Sequence, residues 1–212
     1  MGRIMRTYCR DKQLVNLRRE QIARYASRVF VHKGYTKTNI REIAKACRMS
    51  IGTLYHYIGS KEDILYLVFD YAMSRESKFI ESISSTCDNL SPTEALRKAI
   101  EAYYQAIDEI QDTTVFMYQE TKSLEPNARQ HVLELERNIL SVFEKLLARG
   151  NESGEFKIND VSVAANNIVI LGDAWAFRRW LLRKRYSTVE EYLREQTTHI
   201  FRGILAREDI CK

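Results

Sequence analysis

Helix breakers are scarce in this chain. Its 212 residues contain two prolines, Pro92 and Pro126, and eight glycines. Proline removes a backbone donor and clashes with the preceding turn, and glycine raises the entropy cost of order. Their spacing therefore limits how far a helix can run. The intervals here are long, which favours a mostly helical protein. No strand-rich region, repeat or low-complexity tract is visible. The expectation is an all-α chain of about nine helices.

Apolar spacing divides the first third into short helices. Ile22, Ala26, Val29 and Phe30 recur as one stripe of a helix from about Leu14 to Lys33. Gly34 suits a left-handed residue after its end. Thr38 is the expected N-cap of a second helix carrying Ile40, Ile43, Ala44 and Cys47. Arg48 and Met49 make a turn, and Ser50 caps a third helix through Tyr57. Ser60 and Asp63 have the spacing of a capping box for a long helix from Lys61 to about Ser85, with Leu65, Val68, Ala72, Phe79 and Ile83 near one face. Two helices joined by so few residues, at about 39–58, form a helix-turn-helix, which presents its second member to a major groove.

The remainder reads as longer helices. Ser91-Pro92-Thr93-Glu94 is a strong start for a helix to Ile110, and another follows near Thr113–Ser123. Val132, Leu135, Ile139, Val142 and Leu146 mark a long helix ending near Gly150. A polar loop, Asn151–Asn159, precedes helices at Asp160–Arg183 and Ser187–Arg207, the last opened by Ser187 and Glu190.

Charge separates the two parts. Residues 1–64 hold 14 Lys and Arg against 5 Asp and Glu, whereas residues 65–212 hold 19 against 23. A basic module for a polyanion joined to a module with another task fits this division. Arg3, Arg6, Arg10 and Lys12 suggest a basic arm over residues 1–15. Cys9, Cys47, Cys87 and Cys211 have no metal or redox spacing, so reduced thiols and no cofactor are expected. No apolar run is long enough to cross a bilayer and no signal core opens the chain, which points to the cytoplasm.

The densest chemistry lies in Ser50–Lys61. A helix capped at Ser50 places Ile51, Gly52 and Thr53 in the turn that meets base edges. Gly52 lets the backbone approach, and Thr53 can bond a base or phosphate or touch a thymine methyl. Tyr55, His56 and Tyr57 carry polar tips suited to phosphate oxygens, and Lys61 adds a point charge. Leu54 and Ile58, four apart, face inward. Ile51 and Tyr55 each fit either a buried face or a base contact.

Over about Asn16 to Glu76 the chain resembles the TetR/AcrR family of transcriptional regulators. The resemblance rests on Ile22, Ala26, Phe30, Gly34-Tyr35, Thr36, Thr38, Ile43-Ala44, Ser50, Gly52-Thr53-Leu54-Tyr55, Tyr57 and Lys61-Glu62, in order and spacing. Arg48 stands where the family usually has glycine, and Ile58 replaces the usual phenylalanine. The resemblance implies a helix-turn-helix domain over residues 16–76, with Thr38, Arg41, Ser50, Ile51, Gly52, Thr53, Tyr55, His56, Tyr57 and Lys61 toward DNA. It also implies a helical effector-binding and dimerisation domain over 77–212. Ala165, Gly172 and Ala176, and Val189, Leu193, Ile200 and Ile204, offer faces either for a homodimer or for burial within one subunit.

Most aromatic residues of this part are expected to fill core, and Tyr103, Phe116, Tyr118, Glu120, Trp175 and Arg178 are the candidates for lining a ligand pocket between helices. Arg178-Arg179 and Arg183-Lys184-Arg185 either complement a helix end or hold an anionic ligand such as an acyl-CoA. The expected function is a ligand-responsive repressor on an inverted-repeat operator. A sequence-indifferent DNA-packaging protein is the alternative. An all-helical enzyme ranks lower, since no acid–base, nucleophile or phosphate-loop constellation appears.

Overall fold

The computed structural model describes the backbone of residues 11–84 and 89–206, and side chains for 11–74 and 89–206. Arg3, Arg6 and Arg10 of the expected arm, Cys9, Cys87 and Cys211, and the side chains of Phe79 and Ile83 lie outside the described residues. The described residues form nine α-helices: α1 (Lys12–Lys33), α2 (Ile40–Ala46), α3 (Ile51–Tyr55), α4 (Lys61–Ser84), α5 (Pro92–Glu120), α6 (Pro126–Glu152), α7 (Val161–Phe177), α8 (Arg179–Leu182) and α9 (Val189–Ile204). A 3-10 turn, Thr121–Ser123, separates α5 from α6. An isolated bridge joins Phe156 and Leu205, and no strand occurs among the described residues. None of these helices is long and apolar enough to cross a membrane.

Contacts divide the chain into two compact units. One comprises the chain up to Ser74 together with Asp112–Leu135, and the other comprises Arg75–Gln111 and the chain from Glu136 onward. The chain passes from one to the other within α4, α5 and α6.

In the first unit Ile22, Ala26, Phe30, Ile43, Leu54, Ile58, Leu65 and Phe69 are buried. Phe30 stacks on Phe116 with ring centres 5.6 Å apart and meets Tyr35 edge-on at 5.3 Å. Asp11 caps α1 by accepting from the backbone N–H groups of Gln13 and Leu14. Gly34 ends α1 at φ 84°, ψ 149°. The positive φ is as expected, but this ψ lies outside the left-handed helical region, in a basin open essentially to glycine alone.

The N-cap of α2 is Asn39, not Thr38. Asn39 Oδ1 accepts from Glu42 N at 3.0 Å while Asn39 N donates to Glu42 Oε2 at 2.9 Å. Thr38 is 3% exposed and its Oγ1 donates to Gly34 O at 2.8 Å, so its hydroxyl ties the preceding turn instead. Cys47 is a core residue, and burial pushes its thiol pKa up to about 11.

The second unit packs aromatic rings whose polar tips are satisfied within the chain. Tyr103 OH donates to buried Asp173 Oδ1 at 3.0 Å, and Trp175 Nε1 donates to Asp108 Oδ1 at 2.6 Å. Tyr104 and Tyr192 hydroxyls donate to the carbonyls of Ile168 and Leu171. Burial pushes the Tyr192 phenol up to about 12, with the neighbouring Tyr186 adding to the shift and Arg178 opposing it.

Several expectations in the C-terminal part need correction. The helices ending at Ile110 and starting near Thr113 are one, α5, broken only at Ile110 with φ −117°, ψ 17°. Conversely, Asp160–Arg183 is not continuous, because Arg178 leaves helical geometry at φ −112°, ψ 20° and separates α7 from α8. The N-cap of α9 is Thr188, which accepts from Glu191 N, one residue beyond the expected Ser187 and Glu190 pair. The polar loop after α6 hides a core residue: Phe156 is buried against Gly150, where an added Cβ would sit 1.9 Å from the ring.

The expected dimer faces are turned inward. Ala165, Gly172 and Ala176 are buried within the chain, as are Val189, Leu193, Ile200 and Ile204. A Cβ on Gly172 would lie 2.9 Å from both the Tyr103 and Tyr104 rings. The small residues thus make room for two tyrosines of the same chain.

Candidate nucleic-acid interface

α3 begins where Ser50 Oγ accepts from Thr53 N at 3.0 Å, closing the first turn, and Ser50 Oγ also lies 2.8 Å from Thr53 Oγ1. Leu54 and Ile58 are fully buried and fix the inner side of this segment. Their burial turns the remaining side chains outward. Ser50, Gly52, Thr53 and His56 are exposed, Ile51 is 39% exposed and Tyr55 41%. The buried alternative for Ile51 and Tyr55 is thereby removed. Tyr57 is half-buried and Arg41 exposed.

Thr38, Asn39, Ile40, Arg41, Ile51, Tyr55 and Lys61 line one open groove of about 690 Å³. Thr38 contributes to it as a buried wall, with its hydroxyl already committed to Gly34. Gly52 is not demanded by the fold: an added Cβ would meet only Ser50 Oγ, at 3.8 Å.

Lys61 opens α4 and is held against the protein. Its Nζ lies 4.3 Å from the centre of the Tyr35 ring and 3.4 Å from Thr36 O. Partial burial lowers its pKa, against the attraction of Glu62, Glu120 and Glu42, which raises it. A cation fixed over a ring is oriented before any anion arrives.

The link from α3 to α4 is clamped from two sides. Arg19 Nε, from α1, donates to Tyr57 O at 3.0 Å. Buried Asp63 accepts from Gly59 N at 2.8 Å and Ser60 N at 3.1 Å, while Ser60 Oγ accepts from Asp63 N at 3.2 Å. The expected capping box is therefore present. Burial lowers the Arg19 pKa, and the nearby Asp63 carboxylate opposes that shift.

The turn between α2 and α3 is closed by Met49 N donating to Ala44 O at 2.9 Å. It forces Arg48 to φ 55°, the left-handed region, at a cost of about 1–2 kcal/mol for a residue with a Cβ.

Sequence reasoning passed over Asn39 and Arg19. Asn39 was legible from Asn39-x-x-Glu42, a capping pattern. Arg19 gave no local signal, since its partner is 38 residues away.

The six expected ligand residues do not share a unit. Phe116, Tyr118 and Glu120 belong to the first: Phe116 is buried against Phe30, Tyr118 is exposed, and Glu120 accepts from Ser123 Oγ at 2.6 Å. Tyr103, Trp175 and Arg178 belong to the second. Tyr103 and Trp175 are buried with their polar tips bonded, and Arg178 is exposed at the α7–α8 break. Among the described residues no group of His, Cys, Asp and Glu side chains comes together to hold a metal ion.

A short outward helix in a basic helix-turn-helix defines a DNA-binding regulator, and comparison with known proteins agrees. Residues 22–66 match the family model for bacterial regulatory proteins of the tetR family, and residues 89–204 match the tetracyclin repressor-like C-terminal domain. The HTH-type transcriptional regulator HbdR of Aromatoleum sp. (strain CIB) is 31% identical over 186 residues, covering 87% of this chain and 80% of HbdR. The structure of PfmR, a TetR family transcriptional regulator from Thermus thermophilus, superposes with TM-score 0.74 at 31% identity, covering 88% of this chain and 99% of that one. AibR in complex with isovaleryl coenzyme A and operator DNA superposes with TM-score 0.72 over 87% of this chain and 98% of that one. Its identity is 22%, a likeness of fold. The chain belongs to the TetR family of transcriptional regulators, and it is a DNA-binding regulator rather than an enzyme.

Proposed function

We propose that this regulator is a homodimer that represses transcription by binding an inverted-repeat operator, and that a small, largely apolar effector releases it. The outward face of α3 carries the reading: Ile51, Gly52, Thr53, Tyr55 and His56 are exposed while Leu54 and Ile58 anchor the helix. Gly52 leaves room that none of the described residues fills, as close approach of a duplex requires. Arg41 and Lys61 flank the groove as cations for phosphate.

In a dimer two such helices enter successive major grooves, so half-sites should lie roughly 34–36 Å or a multiple apart. The exposed apolar residues Val163 and Ile170 make the outward side of α7 the favoured contact between subunits. Residues 16–76 then form the DNA-binding part and 77–212 the effector and dimer part. The AibR complex favours an acyl-CoA as the effector class, and the cations of Arg178–Arg185 fit its phosphates. The long helix α4, which enters both units, is the lever for release, and the effector must bind the two states unequally.

Footprinting DNA that adjoins the protein's own gene, with random competitor present, tests this. A protected inverted repeat is expected. Equal protection of any duplex would instead identify a packaging protein. For release, a saturating acyl-CoA that leaves operator affinity unchanged would exclude that effector.

A further inference from the structure

We propose that Arg48, seconded by Lys45, holds a backbone phosphate of the bound DNA beside the amino end of α3. Among the described residues Arg48 is the one non-glycine with positive φ. Glycine reaches that backbone without strain, so the turn itself gives no reason to place an arginine there. Nor does packing, because Arg48 is exposed. Its guanidinium has no hydrogen-bond or charged partner among the described residues.

Charge supplies the second observation. Arg41, Lys45 and Arg48 follow one another at helical spacing along α2 and into the turn, and all three are exposed. The one acid of α2, Glu42, is committed elsewhere, since it pairs with Lys33. The strip thus has no anion of its own. It ends two residues before Ser50, the cap of α3.

A cation at that point flanks the groove that α3 enters and does not lie over base edges. That position suits a phosphate contact. Arginine is the side chain for it, since its planar fork matches phosphate oxygens and is weakly hydrated. The strained backbone and the bound anion then make opposite demands on one residue.

This inference rests on the operator reading above and deepens it. The test uses the full-length protein and the footprinted operator, or a random duplex if no operator is found, and measures melting temperature and affinity across salt. Arg48→Gly is expected to raise the melting temperature by roughly 2–4 °C. The same variant should weaken binding several-fold and flatten the salt dependence by about one unit per protomer. Arg48→Asn, neutral but tolerant of positive φ, should behave alike. Arg48→Lys should keep the wild-type salt slope. Unchanged affinity and slope in Arg48→Gly and Arg48→Asn would overturn the proposal, as would loss of stability in Arg48→Gly. If wild type itself fails to bind any duplex, the operator reading falls first and the phosphate contact with it.

Discussion

The two units of this regulator use tyrosine and its neighbours in opposite ways. Around α3, Tyr55 and Thr53 point outward and Leu54 and Ile58 do the holding. In the second unit Tyr103, Tyr104, Trp175 and Tyr192 are buried, and each polar tip finds an acceptor in the same chain. A buried hydroxyl must be bonded internally, since leaving it bare costs about 1–3 kcal/mol. An exposed one is already solvated and remains available to a partner. The same residue types therefore lie on an open surface in one unit and in a specified core in the other.

Substitutions can break that contrast, the largest effect coming from the core. Trp175→Ala should destabilise the protein by about 3–5 kcal/mol, read by thermal or denaturant unfolding. It removes a fully buried ring stacked on Tyr192 at 5.3 Å and leaves Asp108 without that donor. Gly172→Ala should cost about 1–3 kcal/mol, because the new methyl meets both tyrosine rings. If either variant were as stable as wild type, the second unit would not be packed as described.

The surface end should respond in the other observable. Thr53→Ala should lose about 1–3 kcal/mol of discrimination at one operator position if its side chain reads a base, measured as affinity for operator variants. Its stability should stay close to wild type, since Thr53 is exposed. A uniform loss across all sequences would remove its reading role. Lys61→Ala should weaken binding to every duplex and lower the salt slope by about one unit per protomer.

The smallest expected effect is acidic. Hydrogen bonds from Lys33 and Asn39 N hold the Glu42 carboxyl below its ordinary range, against desolvation, and the Lys33 and Lys61 charges add to the lowering. A depressed folded-state pKa contributes stability above the unfolded value, lost as pH falls through the folded one. Glu42→Gln should therefore narrow the difference between neutral and acidic melting temperatures, and an unchanged profile would show that the α2 capping box is not coupled to that charge.

These contrasts also explain what was legible in the sequence. The helix-turn-helix could be read because its helices are short, breaker-bounded and patterned by local spacing: Ser50, Leu54, Ile58 and the Ser60–Asp63 box all act within four residues. Caps slipped by one where two capable residues adjoin, as at Thr38-Asn39 and Ser187-Thr188; in each pair it is the second residue that accepts from the glutamate N–H three positions on, Glu42 or Glu191. The small face of Ala165, Gly172 and Ala176 was visible, but a smooth face does not say what lies on it. Tyr103 and Tyr104, about 70 residues away in sequence, decided that. The ligand residues were the least legible, since aromatic content is the same for a filled core and a pocket wall.

On the proposed function, the outward face of α3 reads sequence while its inner face only holds the helix. The most direct measurement is the affinity of the intact protein for its footprinted operator and for a shuffled duplex of equal length, at matched near-physiological salt. Binding to the operator is expected to be tighter by ~10³-fold or more. Equal affinities with the same salt slope would contradict it, leaving only a basic surface that binds any DNA.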